Sequence, residues 1–305
     1  MSLKRVLSNL QNSILFGIYK IKPKFFFHSF FRHFENYPAN PNIVGLKFSK
    51  KTKVANKGET IFLPNDVQIT WQLMRYGELN YPISKIIKTR LNQNKKYTFI
   101  DIGANVGLVS RQVLNENKNV KKFLCVEPVE TTYHCLQMNS SVLKNFELFN
   151  FGLGVKNEKK NIFIDKSNHG NASLEKTMMK LSKHKKYYSE KILIKSVSAF
   201  FSLIKNKVKA DKLIIKIDTQ SYDELILSLI PMEVIKKTVL INYELTSIDG
   251  IKKPRVSEKE FEKRISNFNT VWSEEIKDID ASWLIKELNT RVNQKNIETD
   301  IYLLK

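Results

Sequence analysis

Residues 99–107 read Phe99-Ile100-Asp101-Ile102-Gly103-Ala104-Asn105-Val106-Gly107. An apolar run ends at a carboxylate and a glycine, and a second glycine opens a helical pattern. Gly103 permits a sharp turn with close backbone approach, and Gly107 lets the next helix sit near the strand. Strand, glycine turn and helix in succession form the first unit of a parallel α/β sheet, with a ligand against the turn.

Working outward, Tyr97–Ile102 reads as a strand, Val106–Leu114 as a helix, Lys122–Glu127 as a strand and Glu130–Asn139 as a helix. Phe146–Phe151, Lys212–Ile217 and Lys237–Glu244 are further strands, with a helix over Tyr222–Leu229. Phe261–Phe268 reads as helical and Asp300–Leu304 as a short terminal strand. This alternation predicts an α/β fold, a mostly parallel sheet covered by helices. Before it, Ile43–Phe48, Thr60–Leu63 and Val67–Trp71 read as short strands, and Pro82–Leu91 as a helix. The expected organisation is an accessory N-terminal extension over 1–75 and a main domain over 76–305, with a lysine-rich insertion over about 165–195. That insertion reads as a solvated loop, or as a mobile lid over an acceptor site.

The carboxylate of Asp101 discriminates among nucleotide-like ligands. A pyrophosphate against this turn would be repelled, whereas S-adenosylmethionine lacks phosphate and carries a cationic amino group and sulfonium. S-Adenosyl-L-methionine is therefore the expected cofactor, contacted by Asp101, Gly103, Asn105 and Gly107. Glu127 lies 24 residues beyond Gly103 at the tip of the next strand, where an acid accepts hydrogen bonds from ribose hydroxyls. Asn150 ends the third strand and is expected near adenine or in a turn. Alanine at Asp101 or Glu127 is expected to weaken cofactor binding with the fold intact.

Four pieces in order, FIDIGANVG (99–107), CVEP (125–128), LFNFGLG (148–154) and LIIKIDTQSYDELIL (213–227), resemble the FkbM-type methyltransferases, a branch of the Rossmann-like class I enzymes that use S-adenosylmethionine. The similarity covers about residues 97–245. It implies a class I sheet with an antiparallel C-terminal strand, and methyl transfer to a hydroxyl of a sugar, glycan or other small metabolite. The family pattern Lys-Ile-Asp-x-(Glu/Gln)-Gly is met by Lys216–Gln220, but Ser221 stands in place of the usual glycine.

A hydroxyl acceptor needs a base or a group that stabilises the developing alkoxide. Asp218 and Glu244 end neighbouring strands on the edge where open α/β sheets bind ligands, and are the candidate catalytic residues. Asp218 as a helix cap is the competing reading. Lys216 has no assigned role, and His169 in the insertion reads as a solvated loop residue, with reach to an acceptor as the alternative. His28, His33, His134 and His184 show no metal-ligand spacing, so no residue is assigned as a metal ligand, although Asp218 and Glu244 could position either an acceptor or a divalent ion bridging to it.

Composition bounds the rest. The 305 residues hold 51 Lys+Arg against 30 Asp+Glu, a net charge of +21, which favours anionic surfaces or ligands. Two cysteines exclude a disulfide framework, and no apolar run reaches the ~20 residues of a membrane span. The expected location is cytoplasmic. Basic and aromatic residues interleave over 1–35, so a peripheral membrane contact there is expected, against a plain packed extension. The alternatives are an RNA ribose methyltransferase, with nucleic acid the less favoured partner, and a non-catalytic module docking to a membrane or an acidic partner.

Overall fold

The computed structural model describes residues 31–36, 42–65, 68–76, 82–181, 186–208, 212–248, 250–276, 279–290 and 297–305. The membrane-contact expectation for residues 1–35 falls almost wholly outside them, as do His28 and His184. The first described elements are a three-stranded antiparallel sheet, β1 (Phe31–Asn36), β2 (Ile43–Phe48) and β3 (Thr60–Pro64), followed by α1 (Gln68–Tyr76) and α2 (Ile83–Arg90). A strand was expected over Val67–Trp71, and a helix stands there. Ile69 and Leu73, four residues apart, are both buried, and this helical repeat outweighs a short alternation. The small sheet packs on the main body through Ile61, Leu63, Val106 and Cys135. Buried Arg111 donates to the Val54 carbonyl at 2.8 Å and pairs with Glu59.

The main body comprises β4 (Tyr97–Ile102), α3 (Leu108–Glu116), β5 (Val120–Val126), α4 (Glu130–Ser140), β6 (Phe146–Phe149), β7 (Gly152–Gly154), β8 (Glu158–Asp165), β9 (Asn168–Ser173), β10 (Tyr187–Ser196), α5 (Val197–Ile204), β11 (Lys212–Ile217), α6 (Asp223–Leu229), α7 (Met232–Lys237), β12 (Thr238–Ser247), α8 (Glu258–Ile265), β13 (Thr270–Trp272), α9 (Ala281–Thr290) and β14 (Ile297–Leu304). Seven strands form one sheet in the order β13-β14-β12-β11-β4-β5-β6. β6, β5, β4, β11 and β12 are mutually parallel, and β14 is antiparallel to β12. Both faces are buried. Ile100, Ile102, Ile215 and Ile217 point into one apolar layer, while Phe99, Phe123 and Ile214 point into the other. Such two-sided burial gives strands that read as near-continuous apolar runs.

The insertion is neither loop nor excursion. It supplies two strands, β9 and β10, of a four-stranded sheet in the order β7-β10-β8-β9. β10 runs parallel to β7, with Ile194 opposite Gly152, and antiparallel to β8. Ile162, Ile164, Ile192 and Ile194 bury one face against Val129, while Lys159 and Lys191 face solvent. The many lysines mark a solvated outer face, and the isoleucines at two-residue spacing mark the strand.

Candidate functional site

The sheet order reverses between β4 and β11, which places the ligand crevice beyond their carboxyl ends. The turns after both strands meet there. The Asp218 amide donates to the Ile102 carbonyl at 2.9 Å. Gly103 has φ +78°, and a Cβ at this position would lie 1.8 Å from the Asp218 carbonyl oxygen. A cavity of about 260 Å³ opens at this junction, lined among others by Gly103, Asn105, Glu127, Leu153, Asp218 and Glu244.

At one end of the cavity, Glu127 accepts the Asn105 amide at 3.0 Å and the Val129 amide at 2.9 Å. Burial pushes its carboxyl up to about 7, against the lowering effect of these two bonds. Asn105 itself has φ +53°, and its buried Oδ1 has no hydrogen-bond partner among the described residues. Asn150 does not line the cavity. Its side-chain amide donates to the carbonyls of Glu127 at 3.0 Å and Pro128 at 3.3 Å, and so braces the strand end.

Asp101 does not reach the cavity either. It is wholly buried, accepts the Ser110 hydroxyl at 2.6 Å and pairs with Lys216 at 3.4 Å. Lys216 stands opposite Asp101 in the β4–β11 register. Its ammonium also pairs with Asp218 at 3.2 Å and donates to the Gly103 carbonyl at 3.4 Å. The sequence expectation for Asp101→Ala therefore changes: removing this carboxylate unbalances a buried cation. We expect Asp101→Ala to cost about 3 kcal/mol of stability, read as a lowered denaturant midpoint. An unchanged midpoint would return Asp101 to a purely ligand-facing role.

At the other end, the Gln220 side-chain amide bridges two carboxylates, donating to Asp218 at 3.1 Å and to Glu244 at 2.8 Å. Burial first, then Asp218 and Asp223, hold the Glu244 carboxyl well above the usual carboxylate range. Glu298 and Asp300 of β14 complete this end. The helix-cap reading of Asp218 does not fit, because α6 starts at Asp223, its N-cap is Tyr222 and no side-chain cap bond is made there. Asp223 in turn accepts the Thr219 amide at 3.2 Å. Lys216 was left without a role from the sequence, and Gln220, Glu298 and Asp300 were not singled out. A lysine within the apolar run Leu213–Ile217 was the one legible signal, since a buried strand tolerates it only when paired.

β9 covers the crevice: Asn168, His169, Gly170 and Asn171 line the cavity, as do Gln68 and Gln72 of α1. His169 is thus a cavity residue, with Nε2 3.5 Å from the Tyr188 hydroxyl. The Ser173 hydroxyl donates to the Gln220 carbonyl at 2.7 Å and ties this cover to the Asp218 loop. Ser221, where the family pattern has glycine, is buried at φ +90°. Ser221→Gly is expected to stabilise the fold by roughly 0.5–1 kcal/mol, left-handed strain relieved minus added chain entropy. A lower melting temperature would show that the serine hydroxyl outweighs the strain.

Among the described residues no group of three or more His, Cys, Asp or Glu is arranged to hold a metal ion, and no described helix is long and apolar enough to cross a membrane. The strand order, with an antiparallel strand set between the last two, defines a Rossmann-like sheet of the class I methyltransferase type. No family model and no curated protein matches the sequence. Among solved structures, fibrillarin from Aeropyrum pernix with natively bound S-adenosyl-L-methionine aligns at 8% identity and a TM-score of 0.35, covering 90% of this chain and 99% of that chain. The Methanococcus jannaschii fibrillarin pre-rRNA processing protein aligns at 10% identity and 0.35, covering 90% and 98%. A SAM-dependent methyltransferase from Leishmania major aligns at 9% and 0.31, covering 77% of each chain.

Proposed function

We propose that the chain is an S-adenosylmethionine-dependent methyltransferase that methylates a hydroxyl of a small polyhydroxylated molecule, a sugar or glycan being the leading class. The observation that supports it is the single cavity joining the Gly103 turn and Glu127 to the Asp218–Gln220–Glu244 cluster. Glu127 and Asn105 line that cavity, and the buried Oδ1 of Asn105 has no hydrogen-bond partner among the described residues, which fits a cofactor rich in hydroxyl and amino donors. Asp101 supports the turn from below through Lys216 and Ser110. When bound, S-adenosylmethionine supplies an activated methyl group on a cationic sulfur.

In this reading Asp218 and Glu244, locked in place by Gln220, orient the acceptor hydroxyl and accept its proton. Glu244 suits that role because a carboxyl raised toward neutrality is the stronger base once ionised. β9 and α1 exclude water from the reacting atoms. The test is a calorimetric titration of the full chain with S-adenosylmethionine, with NAD as control. Saturable binding of the former alone is the expected result. Binding of NAD, or of neither, would overturn the reading.

A further inference from the structure

The acceptor end of the cavity gathers four acidic side chains. Glu244 and Asp300 stand directly opposite each other across the β12–β14 pair. Glu298 lies two residues before Asp300, hence on the same face of β14. Asp218 joins them from the turn after β11, and all four line the cavity. Like charges directly opposed across strands destabilise a sheet, and this occurs in a protein whose net charge is +21. Among the described residues the one ammonium lining the cavity, that of Lys216, is already engaged by Asp101 and Asp218. Asn242 contributes a neutral donor, to Asp300 at 2.9 Å.

A second observation points the same way. Gln220 lines the cavity and is more than nine-tenths buried. Its amide nitrogen is spent on Asp218 and Glu244, and its Oε1 has no hydrogen-bond partner among the described residues. Gln220 therefore offers a ligand no donor at this end. A ligand that satisfies such a surface brings donors and positive charge. A phosphate or carboxylate there would meet carboxylates at close range.

Resting on the methyltransferase reading, we propose that the acceptor carries a protonated amine beside the hydroxyl that takes the methyl group, and that Asp218, Glu244, Glu298 and Asp300 recognise that amine. The site thereby selects cationic over neutral polyols and rejects phosphorylated ones. This sets the chain apart from an RNA ribose methyltransferase, whose acceptor brings phosphates on both sides of the reacting ribose.

The test uses the full chain saturated with S-adenosylmethionine, after cofactor binding has been measured separately. Glucosamine, glucose and glucose 6-phosphate serve as matched cationic, neutral and anionic probes in calorimetric titrations. Glucosamine is expected to bind at least tenfold more tightly than glucose, and glucose 6-phosphate not at all. Glu298→Gln, at the exposed edge of the cluster, is expected to narrow the glucosamine preference at least threefold. Equal binding of the three, a preference for the phosphate, or binding of none overturns the proposal while the methyltransferase reading stands on the cofactor titration. A loss of S-adenosylmethionine affinity in Glu298→Gln without a change in probe preference would assign the acids to the cofactor and also overturn it. In the ligand-free protein, Glu298→Gln is expected to raise the melting temperature, because a like charge is removed. A fall would give Glu298 a structural role instead.

Discussion

Replacing Gly103 with alanine is expected to cost more than about 4 kcal/mol and to abolish ligand binding. Two independent effects converge on this residue. Its φ of +78° lies in the left-handed region, and its missing Cβ leaves room for the Asp218 carbonyl, which would otherwise sit at 1.8 Å. The second effect dominates. The overlapping atom is backbone, held by the amide bond from Asp218 to Ile102 at 2.9 Å, so no side chain can swing aside. Relief requires the β4 and β11 turns to part, and that opens the floor of the cavity. Denaturant unfolding and a parallel S-adenosylmethionine titration check both halves. A variant within 1 kcal/mol of the parent would show that the two turns are not in contact.

Glu127→Gln is expected to weaken S-adenosylmethionine binding about a hundredfold, because hydrogen bonds to a charged acceptor contribute about 1.5–3 kcal/mol each and every 1.4 kcal/mol is tenfold. The parent should also show a pH signature. Burial holds this carboxyl up at about 7, so acidification below 7 protonates it and affinity falls. In Glu127→Gln that dependence is lost. The sign for folding is opposite. A carboxyl raised from 4.5 to about 7 on folding favours the native state most below pH 4.5, and this contribution is lost as pH rises to 7. Acid therefore loosens the ligand at this residue while favouring the fold. A binding profile that is flat from pH 6 to 8 in the parent would remove Glu127 from the ribose role.

The central sheet was legible because its strands are buried on both faces and leave long apolar runs. β4 and β11 were bounded correctly to the residue, Tyr97–Ile102 and Lys212–Ile217. Gly103 and Glu127 were legible through spacing along one chain segment. The insertion was not, because its lysines advertise the solvent face while Ile162, Ile164, Ile192 and Ile194 acquire meaning only once β8 and β10 pair. α1 was misread because a stretch of five residues supports either period. The acidic end of the cavity was half legible. Asp218 follows β11, and Glu244 lies in neighbouring β12, which continues past the end expected at Glu244 to Ser247. Glu298 and Asp300, however, reach the site only because β14 inserts antiparallel beside β12, and no local pattern announces that pairing. The burial of Asp101 follows from the same long-range cause: Lys216, more than a hundred positions away, comes into register with it.

Lys216 also has a consequence for the order of events during turnover. One ammonium serves Asp101 beneath the cofactor turn and Asp218 at the acceptor end, with the Gly103 carbonyl between them. A ligand that competes for Asp218 alters how Lys216 supports the turn, and by reciprocity a ligand seated on the turn alters the charge that Asp218 presents. In the proposed reading the two halves of the cavity then share one cation, and filling either is expected to change the affinity of the other.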